Sequence, residues 1–135
     1  MANIGVARVL LPAALCSHLA CAPTNPSAAS LTGSWKVDWK CGVETLELRA
    51  DGTYAYAIDY AAGGRATDSG SWRLVPKTER LSGATVVLQQ ALDTCSPSGE
   101  KVEGAPRADR SLETVWEYGR TVLVFDPDTQ GFTRK

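Results

Sequence analysis

Reactive side chains are few and unevenly placed. The chain has one histidine, His18, and four cysteines, Cys16, Cys21, Cys41 and Cys95. His18, Cys16 and Cys21 lie in the first 21 residues, the part least like a folded domain. Once a leader ending before Cys21 is removed, no imidazole remains. That loss excludes Ser-His-Asp and Cys-His nucleophile pairs, histidine acid–base catalysis and histidine-rich zinc sites. The chain carries no P-loop, no G-x-G-x-x-G after a strand and no EF-hand spacing. Asp126-Pro127-Asp128 gathers oxygens of the kind hard cations need, but two carboxylates around a proline read as a turn. Glu113 and Glu117 share one strand face. They read as solvated charges rather than the opposed acids of a glycosidase. The expectation is a protein that is not an enzyme and holds neither cofactor nor metal.

Charge points the same way. Fourteen Lys+Arg against 15 Asp+Glu give a formal net charge of −1. Nucleic-acid binding normally shows as a basic excess or a basic face, and no such excess exists.

The first 20 residues read as an export signal: one charge, Arg8, precedes the apolar run Val9 to Leu15. The run falls short of the roughly 20 apolar residues that span a bilayer. The stretch His18-Leu19-Ala20-Cys21 resembles a bacterial lipobox, which would place a diacylglyceryl thioether on Cys21. Soluble secretion is the alternative. Residues 21–30 are small, polar and broken by Pro23 and Pro26, and read as an anchor cysteine followed by a tether.

The elements that must position any site lie in 31–135, where the hydrophobic period is two. Trp35, Val37 and Trp39 alternate with Lys36, Asp38 and Lys40. Leu46 and Leu48 are followed by Asp51-Gly52, a hairpin signal, and then by Tyr54, Tyr56, Ile58 and Tyr60 on one face. Further strands are expected over 71–75, 84–92, 112–118, 121–125 and 131–134. The pattern predicts an all-β domain of about eight short strands, closed into a single antiparallel up-and-down barrel. Cys41 and Cys95 fall in predicted connections, and an exporting compartment favours a disulfide between them. Two buried free thiols are the alternative.

Two groups could bind. Tyr54, Tyr56, Trp72, Trp116 and Tyr118 lie on apolar strand faces and are candidates for lining a pocket, or simply for filling the core. The 93–111 connection is long for a compact domain and carries Lys101, Arg107 and Arg110 among acids. Those three cations are candidates for docking a protein partner.

Leu31-Thr32-Gly33-Ser34-Trp35 at the head of a β-meander resembles the G-x-W opening of lipocalins and related calycin-type barrels. Leu46-x-Leu48-x-x-Asp51-Gly52-Thr53-Tyr54, Gly70-Ser71-Trp72 and Leu123-x-Phe125 extend the resemblance, which matches small bacterial lipocalin-like lipoproteins. It implies that Trp35 closes the barrel bottom with a basic residue of the last strand, Arg134, packed across it. The domain is shorter than a full lipocalin and lacks a second family motif and a C-terminal helix. The function expected is non-catalytic binding of a small hydrophobic or amphipathic molecule, in a cell-envelope lipoprotein anchored through Cys21. The alternative is a periplasmic inhibitor or immunity-type protein acting through the 93–111 loop.

Overall fold

The structure, a computed structural model, describes residues 25–78, 83–96, 99–125 and 131–135. A single helical turn, α1 (Ala28–Leu31), leads into eight strands: β1 (Gly33–Trp39), β2 (Gly42–Leu48), β3 (Thr53–Tyr60), β4 (Arg65–Val75), β5 (Thr85–Ala91), β6 (Ala108–Glu117), β7 (Arg120–Val124) and β8 (Thr133–Arg134). Every pairing is antiparallel, and the order is β7-β6-β5-β4-β3-β2-β1-β8. A bridge between Leu123 and Phe132 joins the two ends of that order through backbone hydrogen bonds of 3.0 and 2.7 Å. The result is a nearly closed eight-stranded up-and-down barrel.

Alternation decides what fills it. Residues in register across neighbouring strands, such as Trp35, Leu46, Tyr56 and Asp68, share one face. That face points inward because it carries the large apolar side chains. Trp35, Leu46, Leu48, Tyr54, Tyr56, Ile58, Leu88, Leu112, Leu123 and Phe132 are buried there.

One end of the barrel is shut. Ser27 caps α1 by accepting the Ser30 N–H, and α1 buries Leu31. The Trp35 Nε1–H donates to Leu31 O at 3.0 Å, and the Arg134 guanidinium lies 4.6 Å from the Trp35 ring. Arg134 also donates to Thr32 O at 2.8 Å and to Ser30 O. Gly33 makes this possible: its φ is +124°, and a Cβ there would stand 2.8 Å from Arg134 Nη1. The last residues of the expected tether therefore belong to the lid of the barrel. Cys16, His18 and Cys21, with the export signal, lie outside the described residues, as does Asp126-Pro127-Asp128.

Two strands begin well before the sequence expectation. β4 begins at Arg65 rather than 71, and β6 begins at Ala108 rather than 112. The connection between β5 and β6 is correspondingly 92–107. It is also braced internally, by a bridge between Cys95 and Lys101 and by Val102 N–H donating to Thr94 O at 2.9 Å.

Candidate functional site

At the opposite end, the β1–β2 and β3–β4 turns and the 92–107 loop meet, and the described residues there leave a mouth. A cavity of about 460 Å³ lies at this mouth, lined by Trp39, Ala91, Leu92, Pro106, Arg110 and Phe125 among others. Cys41 and Cys95 form a disulfide, with their Cα atoms 6.3 Å apart, that staples the β1–β2 turn to the loop over the cavity. Cys95 itself forms part of the wall. The Trp39 and Phe125 rings pack with centroids 6.0 Å apart. Trp39 Nε1 is buried without a hydrogen-bond partner among the described residues.

Below the cavity runs a polar network inside the barrel. Glu44, on β2, is fully buried. Its carboxylate accepts from Thr94 Oγ1 at 2.7 Å and pairs with Arg110 Nη2 at 3.3 Å. The Tyr56 hydroxyl meets Thr94 Oγ1 at 2.6 Å. Arg110 lies over the Phe125 ring at 3.9 Å and near the Tyr56 ring at 5.3 Å, so the cation is held between aromatic faces. Burial pushes the Tyr56 phenol far above its ordinary range, and the Glu44 charge reinforces the shift.

A second cluster pins the loop. Asp68, buried on β4, accepts from Arg107 at 2.7 Å, Leu92 N–H at 2.8 Å and the Tyr54 hydroxyl at 3.1 Å. Burial acts to raise the Asp68 carboxyl. The hydrogen bonds from Leu92, Arg107 and Tyr54 outweigh it and hold the group below its ordinary value. The Tyr54 phenol is pushed up to about 12, by burial first and by the Asp68 charge second.

The candidate residues separate cleanly. Tyr54, Tyr56 and Trp72 are interior, and the Trp72 Nε1–H donates to Arg49 O at 2.9 Å. None of the three lines the mouth cavity, nor does Trp116 or Tyr118. Trp116 is 38% exposed and Tyr118 98% exposed, at the far end of the barrel. These two are corrected from pocket lining to surface, because β6 ends at Glu117 and the hairpin turn rotates Tyr118 out of the alternation.

The three loop cations also find partners within the chain. Arg107 reaches Asp68, and Arg110 is an inward residue of β6 rather than a loop residue. Lys101 pairs with Glu103 at 2.6 Å and lies over the Tyr60 ring at 4.6 Å. Glu113 and Glu117 alternate with buried Leu112 and Thr114, which puts them on the outer face of β6. No cluster of three His, Cys, Asp or Glu side chains among the described residues could hold a metal ion. No helix among them is long and apolar enough to cross a membrane.

Sequence reasoning missed Glu44, Asp68, Thr94 and the cavity-lining Trp39 and Phe125. The signal for Glu44 was present: it stands two residues before Leu46 and four before Leu48, on the inward face. What the arrangement supplies is a shaped apolar mouth with fixed donors and acceptors beneath it.

No protein-family model matches the chain, and neither the curated proteins nor the solved structures contain a match.

Proposed function

We propose that the protein is a lipocalin-like, non-catalytic binding protein of the cell envelope that takes a small hydrophobic or amphipathic molecule at the barrel mouth. The observation that carries this reading is the cavity of about 460 Å³ between Trp39, Phe125 and the stapled loop. Its size falls within the range of about 300–1,000 Å³ that small-molecule sites occupy, and its make-up, apolar walls with a few placed polar groups, is theirs. The internal pairing of Arg107 and Arg110 supports this reading over partner docking by the loop, since both charges are already spent within the chain. The G-x-W opening and the Trp35–Arg134 stack support the lipocalin-like assignment. The lipobox-like stretch before Cys21 supports export and a lipid anchor.

The test is titration of the purified protein with N-phenyl-1-naphthylamine, a neutral apolar fluorophore. Saturable one-site enhancement is expected, and Ala105→Trp, which fills the cavity wall, abolishes it. Absence of saturable binding would remove the reading. For the anchor, Cys21→Ser is expected to move the protein from the membrane fraction to the soluble one.

A further inference from the structure

Resting on that reading of the mouth, we propose that the ligand is an uncharged molecule with an apolar body and a single carbonyl-type acceptor, recognised by Arg110. Four observations combine. Arg110 lines the cavity and stacks at 3.9 Å on Phe125, so one face of the ligand would lie against an aromatic and a guanidinium together. Both hydrogen bonds that Arg110 makes to Glu44 leave from Nη2. The side chain keeps 14% of its surface accessible, on a residue that borders the cavity. An acceptor in the cavity can therefore reach its remaining N–H groups without breaking the pair with Glu44.

The charge of the wall then chooses among acceptors. Glu44 already offsets the charge of Arg110, and the cavity is further bordered by two acidic residues, Asp93 and Asp109, the latter accepting the Gln90 N–H at 3.0 Å. A carboxylate or phosphate ligand would enter a site whose balance is negative, and would compete with Glu44 for the same guanidinium. A carbonyl or ether oxygen accepts the bond through its dipole and meets no such repulsion. A hydrocarbon of equal size fills the walls but leaves the donors facing the ligand unmatched.

Three probes with one naphthalene body separate these cases: 2-acetylnaphthalene, 2-ethylnaphthalene and 2-naphthoate, titrated into the full chain near neutral pH and followed by calorimetry. The ketone is expected to bind about tenfold more tightly than the hydrocarbon, the effect of one matched hydrogen bond, and the naphthoate more weakly than the ketone. Asp93→Asn/Asp109→Asn, both at exposed positions, should narrow the deficit of the naphthoate by about fivefold. Equal affinity for ketone and hydrocarbon, or tightest binding by the naphthoate, would overturn the ligand class while leaving the mouth a binding site. If none of the three binds, the reading of the mouth itself falls.

Discussion

Arg110 and Glu44 meet across the full diameter of the barrel, with Nη2 3.3 Å from Oε2. Their strands, β6 and β2, stand four positions apart in either direction around the eight-strand ring. No sheet neighbour carries this contact, so the pair acts as a strut through the interior. Buried ion pairs of this kind add little net stability, because desolvation offsets the Coulomb attraction. They penalise mispaired states instead, since any register that separates the partners leaves a buried charge alone.

Removing one end of the strut is expected to be far worse than removing both. Arg110→Ala should cost about 3–5 kcal/mol, the penalty of an uncompensated buried carboxylate. Glu44→Leu/Arg110→Leu should recover most of that loss. Urea midpoints of the wild type, the single and the double variant decide the matter. A single-variant cost below about 1 kcal/mol would mean the pair is not desolvated.

Acid should weaken the protein through Asp68. Its folded carboxyl is held below the ordinary value, so its contribution is complete above the unfolded value of about 3.9 and is lost as pH falls through the lower folded one. Asp68→Asn is expected to lower stability at neutral pH and to flatten the decline below about pH 4. Denaturant midpoints at pH 7 and pH 3 test it, and parallel curves for both proteins would assign the acid limb elsewhere.

Reduction should matter as well. The Cys41–Cys95 disulfide spans 54 residues of sequence, for which loop-closure entropy estimates about 4 kcal/mol. Cys41→Ser/Cys95→Ser is expected to lower Tm by well over 10 °C, since 1 kcal/mol moves a domain of this size by about 3–6 °C. Calorimetry with and without reductant measures it directly. The double serine variant should be indifferent to reductant.

Tyr118 offers a gain. It has φ +48° and is followed by Gly119 at φ +79°, the backbone of a tight hairpin turn in which a bulky side chain is disfavoured. Tyr118→Asn should therefore stabilise by about 0.5–1 kcal/mol and leave probe binding at the mouth unchanged. A loss of binding would return Tyr118 to the ligand site.

The barrel was legible where alternation was unbroken. Trp35, Val37 and Trp39, or Tyr54, Tyr56 and Ile58, announce an inward face by side-chain type alone. Legibility failed where a charge occupies that face. Glu44 falls on the inward face by spacing, but its charge reads as solvated until Arg110 is brought opposite, and nothing local announces a partner 66 residues away. Arg65 to Gly70 reads as loop for the same reason, because its inward Asp68 is satisfied by partners distant in sequence: Arg107, Tyr54 and the Leu92 amide. The error at Trp116 and Tyr118 was the converse. Trp116 keeps the inward spacing but stands at the exposed end of β6, and Tyr118 continues the pattern past the point where the strand stops. Period identifies a face, whereas polarity on that face is decided by contacts that only the closed ring creates.

The place where the chain enters the barrel has a consequence for supply. Asn25 accepts the Lys77 N–H at 3.0 Å and lies beside Arg120 and Arg134, at the shut end. The four Cα–Cα steps from Cys21 to Asn25 reach at most about 14 Å when fully extended. A lipid on Cys21 would moor the barrel by its base and turn the mouth toward the water. A molecule dissolved in the anchoring leaflet would have to desorb before it could enter, whereas one arriving through the aqueous space would meet the opening directly. With such an anchor, the topology would favour a ligand delivered from solution, or from a facing surface, over one drawn from the anchoring membrane.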